Sequence, residues 1–251
     1  MVTRQALVDA CNTLLQPERF RDYGPNGLQV EGRTEIRTLV SGVTASLALI
    51  ERAIELKADA LFVHHGLFWR GQDGTVTGWM RQRLARLLAH DVNLIAYHLP
   101  LDAHATLGNN AQLGQRLGLT ADGTFGEQAL GLIGGGETPL ADAAALGLRV
   151  AQSLGRTPVV IEAAPGRELR RIAWCSGGAQ GYFEAAIAAG ADAFVTGEIS
   201  EPQAHLARET GVAFMACGHH ATERYGAPAV GRTVAAQLGL EHEFIEIDNP
   251  A

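Results

Sequence analysis

A unit of helix followed by apolar strand occurs twice in this chain, and this repeat constrains the fold more than any other feature. Asp59-Ala60 opens an apolar run that ends at His64-His65-Gly66, and Asp192-Ala193 opens a second run that ends at Thr196-Gly197-Glu198. A helical pattern precedes each run. Helices that alternate with buried strands are typical of α/β proteins with parallel sheets. The sequence therefore predicts two related α/β halves with mainly parallel sheets.

A second similarity between the halves involves side chains that can bind metal ions or transfer protons. His98 and Asp102 follow one apolar strand, and His219 and Glu223 follow another. Each pair has the form His-x-x-x-carboxylate, so both members lie on one face if a helix begins there. We assign residues 1–120 to the first half, 121–171 to a glycine-rich connecting subdomain and 172–251 to the second half. No phosphate-binding fingerprint stands in the glycine-rich stretch.

Four predicted strands thus end in polar groups. In open α/β sheets, ligands bind outside the carboxyl ends of the strands, so these groups are expected to converge between the halves. Six of the nine histidines fall in three of the four strand ends, a clustering that core packing does not explain. They are His64, His65, His98, His104, His219 and His220.

Imidazole and carboxylate without thiolate suit a divalent metal such as zinc, manganese, iron, cobalt or nickel. Adjacent side chains on a regular strand point to opposite faces. His64 and His65 therefore serve one ion only if the chain turns at Gly66, and otherwise they indicate two ions. Two neighbouring ions would activate a water molecule, which makes hydrolysis the expected class of reaction.

Composition excludes other classes of function. The net charge of −7 and the lack of a basic run argue against binding to nucleic-acid backbones. No apolar run approaches the length of a membrane helix, and the N-terminus lacks a signal-peptide pattern. We expect a cytoplasmic protein whose three cysteines are reduced and buried.

Four segments resemble the NIF-three-like dinuclear metal-centre family, whose bacterial members are called GTP cyclohydrolase 1 type 2 homologues. The segments are Gly24 to Gly32, Val63 to Gly66, His98 to Asp102 and Gly218 to Arg224. The resemblance implies a two-metal site with His64, His65, Asp102, His219 and Glu223 as ligands and Glu223 as a bridge. It also implies a ring-shaped homohexamer.

The expected activity is hydrolysis of a nucleotide-like substrate, in keeping with the GTP cyclohydrolase label. A metal-dependent phosphoesterase and a non-enzymatic metal-binding or adaptor protein are the alternatives. His98 and Glu198 are the candidate catalytic residues, because the repeat places them near the metals. Either could orient water or move a proton, and a supporting hydrogen-bond role is the alternative for both. We expect His64 and His65 to serve different ions, and His104 and His220 to hold loops.

Overall fold

The computed structural model describes all residues from 1 to 251 and shows a mixed α/β protein. Its strands are β1 (Val2–Thr3), β2 (Gly27–Val30), β3 (Glu35–Ile36), β4 (Thr38–Thr44), β5 (Ala60–His65), β6 (Asn93–Ala96), β7 (Thr120–Phe125), β8 (Gly131–Gly135), β9 (Val159–Ile161), β10 (Ile172–Trp174), β11 (Ala193–Thr196), β12 (Ala213–Ala216) and β13 (Glu241–Phe244). Its helices are α1 (Arg4–Leu15), α2 (Leu47–Glu55), α3 (Gly78–Ala89), α4 (Leu99–Ala103), α5 (Asn109–Arg116), α6 (Ala143–Leu154), α7 (Phe183–Ala188), α8 (Glu201–Thr210), α9 (His219–Glu223) and α10 (Gly226–Leu238).

The chain forms two compact units. The first unit comprises Met1–Gly108 and Gly226–Asp248, and the second comprises Asn109–Tyr225 and Asn249–Ala251. The first contains a five-stranded sheet of order β13-β4-β5-β6-β2, and the second a six-stranded sheet of order β7-β8-β10-β11-β12-β9. A separate two-stranded sheet joins β1 and β3.

The sheet of the first unit is buried on both faces. Leu61 and Val63 of β5 belong to a core cluster with α2 and α3, whereas Ala60 and Phe62 belong to a cluster with α1 and α10. Side chains alternate between the faces of a strand, so a strand covered on both sides reads as one continuous apolar run. This explains why the run before the two histidines contains no polar residue.

Helix starts follow side-chain chemistry that can be read in the sequence. Thr3 accepts a hydrogen bond from the Ala6 N–H at 3.1 Å, and Asp142 accepts one from the Ala145 N–H at 2.8 Å. Ser200 and Gln203 form a capping box at the start of α8. Each cap satisfies a backbone donor that has no partner inside its own helix.

The two units share a strand pattern. β4, β5 and β6 are parallel and β2 pairs antiparallel with β6, whereas β10, β11 and β12 are parallel and β9 pairs antiparallel with β12. A five-residue helix follows the third parallel strand in each unit, α4 after β6 and α9 after β12. The prediction of two related α/β halves is confirmed.

The boundaries of these units differ from the sequence-based division at 120 and 171. β13 pairs with β4 and α10 packs on the same sheet, so residues 226–248 lie in the first unit. The stretch 121–171 is not a separate subdomain, because β7, β8 and β9 belong to the second sheet and α6 packs into that unit's core. These additions pair antiparallel, so the second sheet is mixed rather than mainly parallel.

An aspartate braces the parallel strands in the same way in both units. Asp59 Oδ2 accepts hydrogen bonds from the Arg37 and Thr38 N–H groups at 2.7 and 3.0 Å, and Oδ1 accepts from Arg33. Asp192 repeats the arrangement.

In the second unit, Asp192 Oδ2 accepts from the Arg170 and Arg171 N–H groups, both at 2.9 Å, and Oδ1 accepts from the Arg167 guanidinium. Burial alone would raise the pKa of Asp192, but the hydrogen bonds from Arg171, Arg170 and Arg167 outweigh it and lower the pKa. The Asp-Ala echo in the sequence therefore marks a shared structural role.

None of the helices combines the length and the hydropathy that a membrane-spanning segment requires.

The aspartate brace predicts matched losses of stability. Asp59→Ala and Asp192→Ala should each lower the free energy of unfolding by about 2 kcal/mol, because backbone donors lose their acceptor. Asp248→Ala, at an exposed position, should change it little. Because the pKa of Asp192 is lowered in the folded state, its contribution should be present above the unfolded pKa and lost as pH falls through the folded value. Urea unfolding at pH 7 and pH 3 measures both effects, and equal losses in all three variants would contradict this role.

Candidate metal centre

Three histidines come together in the first unit at the carboxyl ends of β5 and β6. The ring centroids of His64 and His65 lie 4.4 Å apart, and the ring of His98 lies 5.1 and 5.7 Å from them. One ring nitrogen from each of the three lies within 4.8 Å of the others. This is the kind of His group that could hold a metal ion.

The orientation of His64 is fixed by its surroundings. Its fully buried ring donates from Nδ1 to the Tyr97 carbonyl oxygen at 3.1 Å, since a carbonyl oxygen only accepts. Nε2 of the neutral ring is then an acceptor, and Asp102 Oδ1 lies 3.4 Å from it. Two acceptors at this separation repel each other unless a proton or a metal ion interacts with both. The pair therefore suits a cation.

The rings of His64 and His65 converge, although neighbours on a regular strand point to opposite faces. The expectation of opposed directions was wrong, because the two ring centroids lie only 4.4 Å apart. His65 Nδ1 is hydrogen-bonded to the Thr44 hydroxyl at 3.1 Å. The two rings therefore lie close enough to hold one ion or two neighbouring ions.

His98 is oriented by an aspartate that the sequence patterns did not identify. Asp22 Oδ1 accepts a hydrogen bond from His98 Nδ1 at 2.7 Å, and Oδ2 accepts from the Leu99 N–H and the Asn26 amide. Burial raises the pKa of Asp22, but the hydrogen bond and charge of His98, with bonds from Asn26 and the Tyr23 N–H, lower it overall. Asp22 is thus an ionised acceptor that holds the Nδ1 atom of His98.

The second unit presents its own group at the start of α9. His219 Nδ1 lies 2.7 Å from Glu198 Oε1, and His219 Nε2 lies 3.1 Å from the buried Glu223 Oε2. The hydrogen bond to Glu223 raises the pKa of His219 to about 9, with burial opposing and Glu198 adding to the rise. Two carboxylates around one imidazole create a negative potential that favours a bound positive charge.

A glycine makes room for Glu223. Gly177 has φ +67°, and a Cβ atom there would lie 1.9 Å from Glu223 Oε1 and 3.1 Å from His219 Nε2. The position therefore requires glycine for its backbone conformation and for the close approach of the carboxylate. Gly177 lies in the turn after β10, so the sheet itself supports Glu223.

The donor atoms fit a divalent metal. Bonds of about 2.0–2.1 Å at tetrahedral angles place two ligand atoms roughly 3.4 Å apart, and octahedral angles place them roughly 3.0 Å apart. The separations of 3.4 Å in His64–Asp102 and 3.1 Å in His219–Glu223 fall in this range. Each group could therefore supply two ligands to one ion.

Other predicted residues have structural roles. His104 Nδ1 accepts the Thr106 and Leu107 N–H groups and holds the loop after α4. The His220 N–H donates to the Ala251 carbonyl oxygen within the second unit. Sequence reasoning missed Asp22, Thr44 and Gly177. None of them carried a signal in the sequence, because each meets its partner only through a contact between distant parts of the chain.

The fold and these side chains define a mixed α/β protein with His, Asp and Glu groups that could hold metal ions. The chain belongs to the Duf34/NIF3 (NGG1p interacting factor 3) family, whose sequence profile matches residues 2–250. The expected family membership is confirmed.

Curated relatives cover the whole chain. A protein of Neisseria meningitidis serogroup A, named GTP cyclohydrolase 1 type 2 homolog, is 54% identical over 251 residues, which is 100% of both chains. A protein of Pseudomonas aeruginosa with the same name is 47% identical over 253 residues, 100% of this chain and 99% of the relative.

Solved structures show the same fold. A structure described as protein ybgI of unknown function has a TM-score of 0.95 and 44% identity, with 100% of both chains covered. The protein TTHA1606 from Thermus thermophilus has a TM-score of 0.89 and 32% identity, again with 100% of both chains covered.

Gly177→Ala should displace Glu223 and destabilise the protein. Gly190→Ala is the matched control, because Gly190 also has positive φ, +82°, but a Cβ atom there meets nothing within 4 Å. Both variants should lose about 1 kcal/mol for the backbone conformation, and Gly177→Ala should lose roughly 1–3 kcal/mol more from overpacking. Thermal and urea unfolding measure the difference, and equal losses would show that Glu223 does not occupy this space.

Proposed function

We propose that this protein is a dinuclear metal-dependent hydrolase of a nucleotide-like substrate, with His64, His65, Asp102, His219 and Glu223 as the metal ligands. The observation that carries the proposal is the shared orientation of the histidines. His64, His65 and His219 are each hydrogen-bonded through Nδ1, to a carbonyl, a hydroxyl and a carboxylate respectively. This pattern is typical of metal ligands, in which the nitrogen that does not bind the metal is hydrogen-bonded.

Neither group is complete by itself. His64 and Asp102 would supply two donors to one ion, and His65 would bind the other ion. His219 and Glu223 would complete the set of ligands, and the family resemblance supports Glu223 as the ligand shared by both ions. The metal is zinc, manganese, iron, cobalt or nickel, since the donors are imidazole and carboxylate. The family resemblance of the sequence motifs also supports a ring-shaped homohexamer.

Bound ions of this kind activate a water molecule and polarise a phosphate or carbonyl oxygen of the substrate. The chain contributes the proton transfer. Nε2 of His98 is the base, because Asp22 holds Nδ1–H and stabilises the positive charge that the ring acquires. Glu198 acts through His219 and is a positioning residue, because its Oε1 accepts from Nδ1 of that ring.

The names of the curated relatives favour GTP as the first substrate to test. Metal-loaded protein incubated with GTP should release formate and form a pteridine precursor, and His65→Ala should lower turnover by more than about 100-fold through loss of a ligand. His205→Ala is the control, because His205 pairs with Glu201 on the exposed face of α8. Release of phosphate instead of formate would support the phosphoesterase alternative. Tightly held metal without any turnover would support the non-enzymatic alternative.

Substitutions of Glu198 and of His98 should have different effects on metal binding and on turnover. Glu198→Gln should weaken metal affinity by about 10–100-fold, with turnover restored at high metal concentration, since its role is to orient a ligand. His98→Gln should keep the metal content and lower kcat by about 100-fold or more, since its role is proton transfer. Elemental analysis and turnover measured on the same samples separate the two roles. Glu201→Gln is the control for Glu198, and loss of metal in His98→Gln would contradict the assignment of His98.

A further inference from the structure

Two loops with aromatic side chains flank His98. Tyr23 precedes β2 and is 55% exposed, and its ring centroid lies 6.1 Å from that of His98. Trp69 follows β5, and its ring lies edge-on to His98 at 5.0 Å and 6.0 Å from His65. Large aromatic rings with exposed surface beside a group of polar side chains are typical of ligand-binding sites. The proposed hydrolysis does not use either ring.

Hydrogen bonds hold these loops in place. Gln29 links both, because its Oε1 accepts the Leu67 N–H and its Nε2 donates to the Pro25 carbonyl oxygen, both at 2.8 Å. The Arg70 N–H donates to the Tyr23 carbonyl oxygen at 2.6 Å. The guanidinium of Arg70 donates to the Asp22 carbonyl oxygen at 2.7 Å.

The two loops also approach each other closely at a glycine. A Cβ atom on Gly24 would lie 2.4 Å from the Phe68 carbonyl oxygen, so no larger residue fits there. These contacts between the loops hold Tyr23 and Trp69 in place before any ligand binds. A preorganised site loses less conformational entropy when it binds a ligand.

We propose that Tyr23 and Trp69 bind the planar heteroaromatic base of the substrate by stacking. This inference rests on the proposed function and specifies the part of the substrate that the first unit recognises. Aromatic side chains bind bases of any sequence through their π-faces, and each such stack strengthens binding by roughly 10- to 100-fold. The stacking contact would place the base next to His98, the proposed base catalyst.

The test compares guanosine monophosphate with ribose 5-phosphate, which has the same sugar and phosphate but no base. Isothermal titration of the metal-loaded protein should show tighter binding of guanosine monophosphate. Tyr23→Ala and Trp69→Ala should each weaken it by roughly 10- to 100-fold and leave the affinity for ribose 5-phosphate within about twofold. Tyr23→Phe and Trp69→Phe should retain most of the affinity, because they keep an aromatic face.

Trp79→Ala is the matched control, because Trp79 is 55% exposed, lies on α3 and contacts Arg83. The Tyr23 variants keep the test interpretable even if a Trp69 variant misfolds, because so exposed a side chain contributes little to stability. Equal binding of the two probes, no binding of either, or wild-type affinity in both alanine variants would overturn the inference. If the protein binds guanosine monophosphate more tightly than ribose 5-phosphate but does not turn over GTP, the result supports the stacking inference and contradicts only the proposed function. Turnover of GTP with an unchanged KM in both alanine variants would support the proposed function and overturn the stacking inference.

Discussion

Hydrogen bonds to Nδ1 determine which atom each histidine of the two groups presents. The Tyr97 carbonyl, the Thr44 hydroxyl, Asp22 and Glu198 each take the Nδ1 atom of a different histidine. An imidazole with Nδ1 engaged presents Nε2 as its remaining polar atom, which is the arrangement that metal binding or proton transfer needs. The atom that each ring presents is thus fixed by a hydrogen-bond partner in the same unit. Those partners lie on strands, on a turn and at strand ends, so the fold holds each ring in place.

The same structural device is used twice. In each unit an aspartate braces the start of the parallel strands, and a five-residue helix follows the third of them. The short helix carries a carboxylate four residues after a histidine, so the two side chains lie on one side of the backbone. The repeat explains why two separate parts of the chain carry similar pairs of histidine and carboxylate.

Much of this could be predicted from the sequence, because local patterns specify it. Buried parallel strands such as β5 read as unbroken apolar runs, and the polar residues that follow them are easy to see. Long-range pairing is a different matter. Residues 226–248 join the first sheet through β13, and no local pattern shows which sheet an edge strand will join.

The site itself was predictable to a similar degree. The predicted residues of the first unit come together, as do those of the second. The partner of His98 could not be predicted, because Asp22 is far from it in sequence and meets it only in the folded loop. The convergence of His64 and His65 was missed for a related reason. Strand geometry predicts opposite directions, whereas the two ring centroids lie only 4.4 Å apart.

The central claim is that the protein holds two ions and that His64 and His65 serve different ones. The most direct measurement is anomalous diffraction from crystals of the metal-loaded protein, recorded on both sides of the absorption edge of the metal found by elemental analysis. We predict two anomalous peaks per chain, one bonded to His64 and Asp102 and the other to His65, with Glu223 bonded to both. A single peak bonded to both imidazoles, or peaks bonded to neither, would contradict this claim.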